Sequence, residues 1–261
     1  MTGERFRLRA WARSLIGEQA LAYLLHLRPL EWPIMSGHFL LGTLLAVGPR
    51  LRLMPLLLGW LVFVILLNGG TLAINSAFDQ DEGDIGYLKA PPKPPKHLLA
   101  FSLVLHGSGV LLALLLPWSF FWIVLVCTAM SVLYSMPPVR LKARAGWDLI
   151  INCLGFGLLT PLAGWALTGR PFHGAILIAC VGFAFLFASL YPMTQIYQVA
   201  EDQRRGDLTL VIRVGVGRSL MFALIVVLVA HGLFALALLA QDRAPWPLVL
   251  SLASWLVVLI P

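Results

Sequence analysis

Seven of the twelve acidic residues of this chain fall in two short segments: Asp79, Asp81, Glu82 and Asp84 in the first, Glu201, Asp202 and Asp207 in the second. Carboxylates crowd together at an electrostatic cost unless a cation lies between them. Their oxygens suit a hard divalent cation, Mg²⁺ above all, which commonly completes its shell with the phosphate oxygens of a substrate. A third segment carries the opposite charge. Arg140, Lys142 and Arg144 alternate within residues 134–148, YSMPPVRLKARAGWD. Cations beside a metal site neutralise a diphosphate, and the arginine fork matches paired phosphate oxygens. Lys89 is a further diphosphate candidate. Asp148 and Asn152, four residues apart, are placed to order the basic loop or to bind a second substrate.

Helical spacing connects both acidic segments to polar stripes. Asn68, Thr71, Asn75, Asp79 and Glu82 recur at three- and four-residue steps, so they share one helix face. Tyr191, Gln195, Gln198 and Asp202 repeat the pattern further along the chain. The sequence around each stripe is strongly apolar, and a polar stripe on a membrane helix is costly unless it faces a bundle interior or a wet cavity. Two such stripes ending in carboxylates at one membrane face predict a polar cavity open to the cytoplasmic side.

The elements that position these groups follow from composition. Hydrophobic residues make up 59% of the 261 and charged residues 12%, and mean hydropathy is +0.87. Soluble domains carry about 25% charged residues. Water cannot solvate so apolar a surface, whereas lipid can. A span needs about 20 apolar residues, and such runs place helices near 33–49, 53–78, 97–117, 119–136, 147–168, 173–197, 217–240 and 245–260. The fold class expected is an all-α polytopic membrane bundle of about eight transmembrane helices. It forms one domain over 1–261, with 1–30 as an N-terminal interfacial segment in which Phe6, Leu8, Trp11 and Leu15 alternate with arginines. The segment is not expected to act as a cleavable signal.

With the N-terminus in the cytoplasm, fifteen Lys and Arg residues lie on that side and four (Arg50, Arg52, Arg170 and Arg243) on the other. This is the positive-inside asymmetry of an integral protein of a bacterial cell membrane. The net charge of +7 thus concerns topology and anionic ligands. No aromatic–basic pattern accompanies it, and nucleic acid is not an expected partner. Cys127, Cys153 and Cys180 all lie in apolar runs without ligand spacing, which argues against a disulfide or metal framework.

Three motifs resemble those of the UbiA superfamily of intramembrane prenyltransferases. The run from Asn75 to Gly83, NSAFDQDEG, resembles the first aspartate-rich motif of that superfamily. Tyr134 to Lys142, YSMPPVRLK, looks like its loop between the fourth and fifth helices, and Glu201 to Leu210, EDQRRGDLTL, is similar to its second aspartate-rich motif. Order, spacing and membrane side agree, and the likeness covers about residues 30–261. Ser76 and Gly83 stand where the first motif usually has acids, with Glu82 and Asp84 flanking the second position. The family pattern has nine helices against the eight read here.

The resemblance implies Mg²⁺-dependent transfer of an isoprenyl group from a prenyl diphosphate to an aromatic or other lipid-soluble acceptor within the bilayer. It implies metal ligands at Asn75, Asp79, Glu82, Asp202 and Asp207, with Asp79, Asp202 and Asp207 catalytic. Substrate would be bound by Asn68, Asn75, Lys89, Tyr134, Arg140, Lys142, Arg144, Asp148, Tyr191, Gln195 and Gln198. The allylic cation would need π faces, for which Phe78, Tyr134, Tyr191 and Tyr197 lie at suitable heights. Alternatives on the same fold are a terpene cyclase and phosphoribosyl transfer to a polyprenyl phosphate. A non-enzymatic carrier would also use intramembrane polar groups, but carriers place them near the midplane on broken helices.

Overall fold

The computed structural model describes residues 2–79, 84–85 and 87–259. Among them the regular elements are all helices: α1 Thr2–Ile16, α2 Glu18–His26, α3 Trp32–Val47, α4 Leu53–Asp79, α5 Leu98–Ala113, α6 Trp118–Ser135, α7 Trp147–Ala166, α8 Gly174–Ile196, α9 Val199–Arg205, α10 Leu210–Val214, α11 Val216–Leu239 and α12 Leu248–Leu259. Each of the eight predicted segments is a helix, with ends within four residues of expectation.

Among the described residues six runs are long and apolar enough to cross a membrane: Glu18–Val47, which takes in α2 and α3, and α4, α6, α7, α8 and α11. The other two are apolar but shorter. At 1.5 Å per residue, the 16 residues of α5 extend about 24 Å, less than the roughly 30 Å hydrocarbon layer. The protein is an integral membrane protein. In α1, Trp11 and Leu15 are exposed beside Arg13, a mixture suited to the headgroup region.

Aromatic packing holds the centre of the bundle. Phe39 of α3 stacks on Phe63 of α4 with ring centroids 5.5 Å apart, and Phe120 of α6 meets the Phe39 ring edge-on at 6.3 Å. Without a hydrophobic driving force in lipid, helices gain by close backbone approach, which small residues permit. A Cβ built on Gly164 of α7 would lie 1.9 Å from the Phe39 carbonyl oxygen, and one on Gly42 would lie 1.8 Å from that of Pro161. Helices α3 and α7 therefore touch at a distance that only glycine allows. Residues 61–68 of α4 and 153–159 of α7 are wound as π-helix, a widened turn often found beside functional sites. Here the two stretches carry Asn68 and Phe156, both of which line internal cavities.

Candidate active site

Three chain segments meet at one end of the bundle. Helix α4 ends at Asp79, helix α8 leads through Gln198 into α9, and the loop between α6 and α7 folds back between them. In the second acidic segment, Gly206 (φ 74°) ends α9 in the left-handed conformation natural to glycine. The reversal lets the Asp207 amide donate to the Asp202 carbonyl at 3.0 Å, which sets the two aspartates side by side. Both are buried, at 5% and 7% exposure.

The basic loop draws the two acidic segments together. Arg140 donates to both carboxylate oxygens of Asp207, at 2.7 and 3.4 Å, and to Asp79 Oδ1 at 3.3 Å. Its backbone lies at φ 39° and ψ 61°, a left-handed conformation that costs a non-glycine residue roughly 1–2 kcal/mol. Strain of this kind persists where the surroundings impose it, and here the guanidinium bridges both motifs. Lys142 donates to Asn75 Oδ1 at 2.7 Å and contacts Asp79 Oδ1. Burial pushes the Lys142 ammonium below its ordinary pKa, and Asp79 acts in the opposite direction.

The loop is anchored by Asp148. This fully buried carboxylate accepts from the Gly146 amide at 2.7 Å, Gln195 Nε2 at 2.6 Å and the Leu210 amide at 3.1 Å. It ties the loop to α8 and α10, so of the two roles read for it, ordering the loop is the one its contacts serve. Asp148→Ala is expected to leave these buried donors unpaired at about 1–3 kcal/mol each. A fall of several degrees in the detergent melting temperature would show this, and an unchanged melting curve would contradict it.

Beneath the ion pairs lies a cavity of about 640 Å³. Thr71, Asn75 and Asp79 line it from α4, and Tyr191, Gln195, Gln198 and Asp202 from the α8 side, so these members of the two polar stripes face the same space. Tyr134 and Tyr191 approach within 3.4 Å through their hydroxyls. Phe156 and Phe187, not singled out in the sequence, also line it and stack with centroids 5.5 Å apart. Phe187 precedes Tyr191 by one helical turn and Phe156 follows Asn152 by one, a registration visible only once the stripes are known.

Other candidates are placed differently. Asn68 sits deeper, in a second chamber. Lys89 reaches the cavity rim but pairs with exposed Asp84 at 2.9 Å. Arg144 is exposed, with its backbone against Leu208. Tyr197 lines the cavity, whereas Phe78 is absent from its wall. Glu82 lies outside the described residues.

By its position in the sequence, Arg28 belongs to the basic residues expected on the cytoplasmic side. It follows α2 at φ 50°, again left-handed, and faces the cavity with Glu31 3.6 Å away. Among the described residues its buried Nε and Nη2 have no hydrogen-bond partner. A buried guanidinium with spare donors in a cavity wall is an anion-binding feature, and it became visible only once the fold brought α2 to the cavity.

The donor set fits Mg²⁺. Among the described residues no three Asp, Glu, His or Cys side chains come close enough to hold a metal ion by themselves. Mg²⁺ does not require this, since it binds through one or two carboxylates and takes water and substrate phosphate as its other ligands. Asn75 Oδ1 and Asp79 Oδ1 already converge on a common point, the Lys142 ammonium.

The sequence matches the UbiA prenyltransferase family over residues 32–260, and the chain belongs to that family. Among individual proteins, the lycopene elongase/hydratase of Haloarcula japonica is 32% identical over 157 residues, 57% of this chain. The matched region spans about half of that relative, 53% of its length. A UbiA homolog from Archaeoglobus fulgidus, solved with DMAPP and Mg²⁺ and again with GPP and Mg²⁺, shares the fold with TM-scores of 0.76 and 0.78. Both comparisons give 23% identity over 91% of this chain and 85% or 86% of the other. A digeranylgeranylglyceryl phosphate synthase structure follows at a TM-score of 0.67, 20% identity, and coverage of 93% and 85%.

Proposed function

We propose that the protein transfers an isoprenyl group from a prenyl diphosphate to a hydrophobic acceptor inside the membrane, as a single transmembrane domain over residues 1–261. The observation that carries this reading is the bridging of Asp79 and Asp207 by Arg140, with Lys142 alongside, above a cavity walled by aromatic rings. The solved UbiA homolog that holds DMAPP or GPP with Mg²⁺ supports it. Asn75, Asp79, Asp202 and Asp207 would hold the metal. When bound, Mg²⁺ supplies positive charge to the departing diphosphate.

The protein's own residues do the rest. Arg140, Lys142 and Arg28 surround the diphosphate oxygens and stabilise the charge that develops as the allylic C–O bond breaks. The electron pair leaves with the diphosphate. The acceptor supplies the pair for the new bond to carbon and then loses a proton. Tyr134, Tyr191, Phe156 and Phe187 offer π faces to the allylic cation and keep water from it.

Calorimetric titration of an unreactive prenyl diphosphate analogue into purified protein with Mg²⁺ tests the reading. A charged hydrogen bond to a diphosphate is worth about 1.5–3 kcal/mol. Lys142→Ala and Arg28→Ala are therefore each expected to weaken binding roughly tenfold to hundredfold. Arg13→Ala, which removes an exposed charge paired with Glu18, should change it little. Equal and small effects from all three would return Lys142 and Arg28 to the role of topological anchors.

We further propose that the acidic and basic loops face the cytoplasm together with the N-terminus. Cysteines introduced at Lys96 and Arg204 should react with an impermeant reagent from the cytoplasmic side, and one at Arg170 from the opposite side. Labelling of positions 96 and 204 from different sides would refute this topology and the shared site with it.

A further inference from the structure

Directly below the main cavity lies a smaller chamber of about 70 Å³, sharing Thr71, Tyr134, Asn152 and Phe156 with it as common wall. Asn68 is seven residues before Asn75 on α4, and Ser131 is four residues before Ser135 on α6. Asn75 and Ser135 approach each other at 3.4 Å. At a rise of 1.5 Å per residue, Asn68 and Ser131 lie about 10 Å and 6 Å deeper in the bundle than that contact.

The walls are mostly apolar, and among the described residues none that lines the chamber is charged. Three polar side chains in the lining satisfy themselves on their own helices. Thr71 Oγ1 donates to Leu67 at 2.9 Å, Thr160 Oγ1 to Gly155 at 2.9 Å, and Asn152 Nδ2 to Asp148 at 2.8 Å. Asn68 and Ser131 do not follow them. Each is 4% exposed, and among the described residues Asn68 Nδ2 and Ser131 Oγ have no hydrogen-bond partner. Burying a polar group unpaired is unfavourable, and a ligand accepting from both donors in the chamber would remove that cost.

We propose that the chamber receives a neutral oxygen group, a hydroxyl or carbonyl, carried by the hydrophobic acceptor, and that Asn68 and Ser131 donate to it. The reading rests on the proposed transferase function and narrows its second substrate. A carboxylate would enter a wall that has no cation to meet it, at the cost of burying an uncompensated charge. A pure hydrocarbon would leave both donors unpaired. The acceptor is therefore an uncharged lipid with an oxygen function, long enough for its apolar part to remain among the helices while the oxygen sits below the diphosphate site.

A matched series tests this: an isoprenoid alcohol, the corresponding hydrocarbon and the corresponding carboxylic acid, with binding to the full chain in detergent measured by native mass spectrometry. The alcohol is expected to bind at least about tenfold more tightly than either of the others. One neutral hydrogen bond is worth about 0.5–1.5 kcal/mol, so Asn68→Leu and Ser131→Ala should each reduce that preference about two- to tenfold. Because the preference is a ratio within one protein sample, partial loss of folded protein does not imitate the effect. Equal affinities for alcohol and hydrocarbon, a preference for the acid, failure of the alcohol to bind, or a preference unchanged in both variants would each overturn the inference. Titration of wild-type protein with the diphosphate analogue is independent of the series. Its failure would remove the transferase reading whatever the chamber prefers.

Discussion

Asp79→Ala is expected to lower turnover by about 10²–10³-fold, the range seen when one group that stabilises transition-state charge is removed. Asp79 lies at the junction of the three segments. Its Oδ1 contacts the Lys142 ammonium and receives Arg140 at 3.3 Å, and its side chain is only 7% exposed. Truncation removes a proposed metal ligand and also releases both cations from the positions in which they face the diphosphate. Asp79→Asn preserves the shape and removes the charge, and should be nearly as damaging. Asp84→Ala supplies the control, because that carboxylate is half exposed and pairs at the surface with Lys89. The check is a comparison of initial rates at saturating Mg²⁺ and prenyl diphosphate on protein that elutes as one monodisperse species. Retention of more than about a tenth of wild-type turnover by Asp79→Ala would contradict the proposed role.

Removal of divalent metal by a chelator should abolish turnover, and added Mg²⁺ should restore it. The charge arrangement gives the reason. Asp79, Asp202 and Asp207 stand at the mouth of the cavity, and Arg140 and Lys142 are already engaged with Asp79 and Asp207. A diphosphate entering that mouth meets three carboxylates, one more than the two cations engaged with Asp79 and Asp207. Like charges at such range repel strongly in a partly buried site. Further positive charge is needed before substrate can be held, so chelation should also weaken binding of the unreactive analogue, by about tenfold or more. This second readout separates loss of substrate binding from loss of chemistry. Full turnover in excess chelator would remove Mg²⁺ from the account.

How much of this was legible in the sequence depended on how local the signal was. The helices were, because lipid enforces a long apolar run at every crossing, and α4 and α8 follow their predicted bounds within one residue. The two polar stripes were, because i, i+3 and i+4 spacing fixes a shared face wherever the helix sits. Thr71, Asn75 and Asp79 of the first stripe and Tyr191, Gln195, Gln198 and Asp202 of the second line one cavity, as their spacing along each helix requires of a shared face. Arg28 escaped notice because a basic residue beside a span satisfies the positive-inside rule, and only packing shows that its guanidinium points inward. Phe156 and Phe187 are aromatics in apolar helices, where every face reads alike. Ser131 gave no sign for the same reason. Arg144 and Lys89 were grouped with Arg140 by charge, yet the turn at Leu141–Ala143 leaves Arg144 outward, and Asp84 holds Lys89 at the rim.

The central claim is that this chain moves an isoprenyl group from its diphosphate to a lipid acceptor. The most direct measurement is mass spectrometry of the products formed when purified protein receives Mg²⁺, a panel of prenyl diphosphates and a native lipid extract. The expected result is a lipid heavier by one isoprenyl group, formed with release of diphosphate and absent from samples containing chelator or Asp79→Ala protein. Recovery of the intact prenyl diphosphate from every sample, or its conversion to a cyclic hydrocarbon with no lipid gaining mass, would contradict the claim.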